Sequence, residues 1–114
     1  MTVYLVRHAS AGSRNELDPA DRERPLDATG RVQARKLTDW LRHAAIDRIL
    51  TSPYPRCVQT VEPLAEATGI QPELCDWLGE QAPIEQSWKV LEEAAASTTV
   101  VCSHGDVIPE LIRR

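Results

Sequence analysis

Residues able to do chemistry stand at three widely separated places, each just after a short apolar run. Arg7-His8 follows Val3 to Val6, Ser52…Arg56 follows Ile49-Leu50, and Ser103-His104-Gly105 follows Val100-Val101-Cys102. Short runs of Val, Ile, Leu and Tyr suit buried strands. In open α/β sheets, ligands bind at the carboxyl ends of parallel strands. If the three runs lie in one parallel sheet, Arg7, His8, Ser52, Arg56 and His104 meet at one edge as a compact cationic pocket. Guanidinium forks match phosphate oxygens bidentately, and amides at a helix N-terminus add donors to the same anion. A histidine lodged among arginines is held neutral more easily, which leaves a nitrogen able to attack phosphorus. A second histidine would bind phosphoryl oxygens and stabilise transition-state charge. A nearby carboxyl would protonate the leaving group and then activate water. Ser52 has two readings, a direct phosphate contact or a turn cap. The small residues Ala9 to Ser13 let a ligand approach the backbone.

The elements that must position these residues can be read in order. Val3 to Val6 is the first strand. Arg14 to Leu26, charged and punctuated by Pro19 and Pro25, reads as a long loop or a short helical turn over the site. Asp27 to Ala44 reads as a helix, capped by Asp27 or Thr29. Ala34, Leu37, Leu41 and Ala44 recur at helical spacing, with Trp40 beside them. Ile46 to Thr51 is the next strand. A second helix is expected from near Pro55 to about Thr68, stopped by Gly69, with Pro63 predicted to kink or split it. Ile70 to Cys75 is a weak strand interrupted by Pro72, and Asp76 to Pro83 is a loop. Ile84 to Ala96 is a helix with Trp88, Leu91, Ala94 and Ala95 inward. Thr98 to Cys102 is the last strand, and Val107 to Arg114 the last helix, with Asp106 as a candidate cap. Strand and helix alternate four times, which predicts an α/β fold: a mostly parallel sheet with helices on both faces. His43 reads as a surface residue, and Trp77 and Trp88 as packing residues.

Composition bounds the rest. A length of 114 residues predicts a single domain, 1–114. The last helix reaches Arg114 without a cap, so the domain is expected to be incomplete at its C-terminus. A net charge of -4 argues against a general nucleic-acid or anionic-membrane surface. No apolar run approaches a membrane span, and no signal peptide is expected before Val3. The three cysteines, Cys57, Cys75 and Cys102, are an odd number without metal-type spacing. They read as free thiols of a cytoplasmic protein, with Cys57, beside Arg56, as the candidate reactive one. No His-x-x-x-His or comparable ligand spacing occurs, so no metal and no cofactor is expected.

Taken together, the motifs resemble the histidine phosphatase superfamily, also called phosphoglycerate mutase-like. Arg7-His8 matches its Arg-His after the first strand. Arg56, Gln59 and Thr60 match its Arg-x-x-Gln-Thr at a helix start, and Ser103-His104-Gly105 its late Ser-His-Gly. More narrowly, Asp21…Arg24-Pro25-Leu26…Thr29-Gly30…Gln33-Ala34 is similar to the run typical of the small SixA-type branch. The resemblance implies a three-layer α/β/α sandwich. It implies His8 as the phosphorylated nucleophile, with Arg7, Arg56 and His104 holding the phosphoryl group. The general acid of the family lies after the third strand, where the chain offers Glu80, with Glu73 as competitor. Arg-His-Ala replaces the Arg-His-Gly-Glu of mutases, which argues against mutase activity. Similar domains also occur fused to Nudix hydrolases, and no Nudix segment is present in this chain. The expected substrate is a phosphorylated small molecule or a protein carrying phosphohistidine. The alternative is a catalytically weak phosphate- or phosphoprotein-binding module. A flavodoxin-like cofactor binder fits less well, because no Gly-rich phosphate loop follows the first strand.

Overall fold

The computed structural model of the chain describes residues 2–13 and 17–113. Arg14, Asn15 and Glu16, and Arg114 at the end of the expected last helix, lie outside the described residues.

Four strands form one sheet in the order β1-β4-β2-β3: β1 (Val3–Arg7), β2 (Arg48–Thr51), β3 (Glu73–Leu74) and β4 (Thr99–Ser103). Every pairing is parallel, with Arg7 opposite Ser103 and Thr51 opposite Cys102. Four helices alternate with the strands: α1 (Ala28–Leu41), α2 (Pro55–Thr68), α3 (Ile84–Ala94) and α4 (Val107–Arg113). Successive strand residues point to opposite faces, and the packing follows that rule. Tyr4, Val6, Ile49, Val100 and Cys102 pack with Leu41 of α1 and with Cys57, Val61 and Leu64 of α2. Val3, Leu5, Leu50 and Val101 pack on the other face, with Val90, Leu91 and Ala94 of α3 and with Leu78. The result is the expected three-layer α/β/α sandwich. β4 is buried along its whole length because it has a strand on each side and helices on both faces. Among the described residues, no helix is long and apolar enough to cross a membrane.

Local chemistry explains the boundaries. Asp27 caps α1, its Oδ1 accepting from Gly30 N at 2.7 Å. Pro55 opens α2, where a missing N–H costs nothing, and Gly69 closes it with φ of 74°. The charged stretch after residue 16 forms one 3-10 turn, Pro19–Glu23, capped by the Asp18 side chain. A second 3-10 turn, Asp76–Leu78, lies in the loop after β3. β3 is cut to two residues, and Arg48 of β2 clamps it by pairing with Glu73 at 2.9 Å.

Four expectations are corrected. Pro63 neither ends nor splits α2: Val61 and Leu64, both fully buried, hold the helix through the one lost backbone bond. Trp40 lies outside the stripe of α1, 74% exposed; the buried positions are Gly30, Ala34, Thr38 and Leu41. Ala95 is exposed as the C-cap of α3, and Ser87 takes the inward place, its Oγ donating to the Trp77 carbonyl at 2.6 Å. Asp106 does not serve α4; its Oδ2 accepts from Gln81 N at 3.2 Å.

These positions predict opposite outcomes for two truncations. Leu64→Ala removes a side chain with no exposure and should cost about 2–5 kcal/mol. Trp40→Ala should stay within about 0.5 kcal/mol. Denaturant unfolding of both variants checks the assignment of the core.

Candidate active site

Parallel pairing continues one step past the strand ends. His8 N donates to the Ser103 carbonyl at 3.1 Å, and Ser52 N to the Cys102 carbonyl at 3.0 Å. The backbones of His8, Ser52 and His104 are thereby brought side by side at the carboxyl edge, as the sequence implied. The His8 and His104 rings meet edge to face, with centroids 5.4 Å apart.

His8 is held by its own loop. Its Nδ1 lies 2.8 Å from the Ala9 carbonyl, which can only accept, so Nδ1 carries the proton and neutral His8 keeps its lone pair on Nε2. Burial pushes the pKa of His8 below its ordinary 6.5. The Ala9 hydrogen bond opposes that shift, and the charges of His104 and Arg56 add to it. Ala9 N donates to Thr60 Oγ1 at 2.9 Å, and Thr60 Oγ1 donates to the Arg56 carbonyl at 2.6 Å. Ser10 N donates to Gln33 Oε1 at 2.8 Å, and Ser10 Oγ to Asp27 Oδ2 at 2.7 Å. The Ser10 hydroxyl and the Gly30 and Gly12 amides keep the Asp27 carboxyl below the usual range. A Cβ on Gly30 would fall 2.0 Å from the Ser10 carbonyl oxygen, so only glycine lets the loop lie on α1.

His104 is 1% exposed and is held from behind. Its Nε2 lies 2.8 Å from Ser52 Oγ and 3.5 Å from Cys57 Sγ. Tyr54 N donates to Ser52 Oγ at 3.3 Å, which ties the hydroxyl that faces His104 Nε2 to the start of α2. His104 Nδ1 has no hydrogen-bond partner among the described residues and faces Glu80 Oε1 at 3.7 Å. Ser52 has no exposed surface and stands behind His104, away from the cavity wall. Hydrogen bonding with Cys102 and then with His104 pulls the Cys57 thiol down, while burial opposes it.

Arg56 is fully buried at the first turn of α2. Its Nη1 donates to the Asp21 carbonyl at 3.0 Å, its Nη2 pairs with Glu80 Oε1 at 2.6 Å, and its Nε has no hydrogen-bond partner among the described residues. Tyr54 lies under Arg56 and Arg22, 5.0 and 4.6 Å from its ring centroid. Arg7 is exposed, and its guanidinium lies over Gly105, where a Cβ would meet Cζ at 2.9 Å. Glu73, the competing carboxylate, is drawn off to Arg48, whereas Glu80 lines the cavity.

The cavity, about 640 Å³, is open and bounded by Arg7, His8, Arg24, Gln33, Glu80 and Asp106 with small residues between them. No individual role is assigned to Thr60, Gln33 or Tyr54 from the sequence. For Thr60 the signal was present: Arg56, Gln59 and Thr60 are spaced i, i+3, i+4, one face of a helix. Gln59 Oε1 accepts from Leu26 N at 2.8 Å. Among the described residues, no three His, Cys, Asp or Glu side chains gather as a metal site requires.

Residues 3–85 match the model of the histidine phosphatase superfamily, branch 1. The chain belongs to the histidine phosphatase superfamily. Within that superfamily it is 28% identical to the phosphohistidine phosphatase SixA of Escherichia coli (strain K12), over 98% of this chain and 72% of that protein. It is 36% identical to an 8-oxo-(d)GTP phosphatase of Mycolicibacterium smegmatis, over 97% of this chain. There it spans only 36% of the relative's length. A solved structure of the histidine phosphatase SixA complexed with tungstate superposes with a TM-score of 0.81 at 25% identity, covering 98% of this chain and 74% of that one. The SixA-type, phosphoglycerate mutase-like character read from the motifs is therefore borne out.

Gly105 gives a direct test of the Arg7 placement. Gly105→Ala should displace the guanidinium, a flexible group, and weaken phosphate or vanadate binding while the Tm hardly moves. Calorimetric titration beside thermal unfolding separates the two effects.

Proposed function

We propose that the protein is a phosphatase working through a phosphohistidine on His8. The observation that carries this reading is the His8 Nδ1 contact with the Ala9 carbonyl, which leaves the Nε2 lone pair available beside Arg7 at the open cavity. His8 Nε2 attacks phosphorus and forms a P–N bond as the bond to the leaving group breaks. Arg7, Arg56 and His104 Nδ1–H hold the phosphoryl oxygens, and Ser52 orients His104 from behind. Glu80 gives a proton to the leaving group and then takes one from the water that releases inorganic phosphate.

Substrate class follows from the cavity wall. Apart from His8, no ring borders the cavity among the described residues, so a nucleobase would find no aromatic face to stack on. An open, polar cavity suits phosphohistidine on a protein or a small polar phosphoester, in keeping with the SixA-type relatives. A purine nucleotide, the substrate class in the name of the Mycolicibacterium relative, fits it less well.

The test is a phosphoenzyme trap with a radiolabelled activated phosphate donor. Acid-labile, base-stable label should form on the protein and be absent from His8→Ala, which should also lose turnover. Absence of label together with tight phosphate or vanadate binding would favour the binding-module reading instead. The direction of the His8 pKa sets the pH profile. Attack requires the unprotonated ring, and the pKa is lowered, so the acidic limb of kcat/KM should fall below pH 6.5. A limb at or above that value would remove His8 as the titrating group.

A further inference from the structure

Glu80 lies against Arg56 and His104, two of the groups proposed to hold the phosphoryl oxygens. Its Oε1 lies 2.6 Å from Arg56 Nη2 and 3.7 Å from His104 Nδ1. Arg56 and His104 are 0% and 1% exposed, and neither borders the main cavity, whereas Glu80 does. Glu80 also borders a second cavity, about 190 Å³, with Asp21, Arg22, Tyr54 and Gln81, so its side chain is part of the wall between the two. Behind it, Arg56 Nε and His104 Nδ1 are buried without a hydrogen-bond partner among the described residues, an arrangement that folded proteins rarely leave unfilled.

We infer that Glu80 is a specificity-determining residue: its carboxylate stands in for the phosphoryl group in the free protein, and only a dianionic terminal phosphoryl group displaces it efficiently. This inference rests on the phosphatase reading above. The physical reason is a difference of charges. Swapping one carboxylate for one monoanion returns the same Coulomb attraction to Arg56 and gains little. A phosphomonoester or phosphohistidine dianion brings twice the charge and several oxygens, enough to engage Arg56, His104 and Arg7 together. Occupation by an internal competitor thus disfavours diesters and carboxylates, whose binding would have to remove it for no gain. Displacement also frees Glu80 from Arg56, and it must then take up a proton from water before it can protonate the leaving group.

The experiment compares the wild-type protein with Glu80→Gln, which keeps the shape of the side chain and an acceptor for Arg56. Inorganic phosphate, vanadate and dimethyl phosphate, a monoanion, are titrated calorimetrically. Glu80→Gln should bind phosphate roughly tenfold or more tightly than the wild type. Dimethyl phosphate should compete measurably in the variant and not in the wild type. Phosphate affinity that is unchanged or weaker, or an equal phosphate-to-diester ratio in the two proteins, overturns the inference while leaving the phosphatase reading intact. Failure of both proteins to bind phosphate or vanadate overturns both. A measurement on the wild type guards against a variant that folds poorly. The arginine Nε–H resonance of Arg56 should shift on phosphate addition, and saturation by phosphate without that shift counts against the displacement.

Discussion

β4 is hydrogen-bonded on both sides, to β1 and to β2, and that double pairing decides where every chemically loaded segment begins. The ladder runs past the strand ends, from His8 N to the Ser103 carbonyl and from Ser52 N to the Cys102 carbonyl. With side chains alternating between faces, a slip of one residue in either pairing would turn a whole strand over. Val100 and Cys102 would lose α1 and α2, Val101 would lose α3, and His8 would no longer stand beside His104. The register that fills the two halves of the core is the same register that assembles the candidate site.

A second constraint is the burial of Arg56. A guanidinium with no exposed surface needs acceptors or a counter-charge, because transfer out of water is otherwise prohibitive. The chain supplies them from two loops. The turn at residues 19–23 presents the Asp21 and Arg22 carbonyls, and the loop after β3 presents Glu80. Both loops are thereby drawn over the first turn of α2, and Tyr54 fills the space beneath with its ring. An acidic protein thus builds a local cationic centre by folding its carboxylates and carbonyls around one arginine.

The loop after β1 is ordered by side chains that approach from two helices. Asp27 and Gln33 of the α1 region take Ser10, and Thr60 of α2 takes Ala9. The contact of α1 with α2 therefore bears on His8 directly. Asp27 shows how one side chain serves two levels of structure, capping a helix with one oxygen and holding Ser10 and Gly12 with the other.

The sequence by itself determined the alternation of strands and helices, because apolar runs and helical stripes report which faces must leave water. It also determined the ends of α2, through Pro55 and Gly69, and the gathering of Arg7, His8, Arg56 and His104 at one edge, since parallel strands share a carboxyl end. Trp40 and Ala95 misled because a stripe is about one hundred degrees wide, and only the partner helix shows where it stops. Pro63 does not split α2 because its local cost is outweighed by the burial of Val61 and Leu64. Only the tertiary structure decided that Ser52 lies behind His104, and that Glu80 rather than Glu73 reaches Arg56. Those outcomes depend on the path of loops across the sheet edge. That path joins residues far apart in sequence, Arg48 to Glu73 and Arg56 to Glu80, which no local pattern of residues encodes.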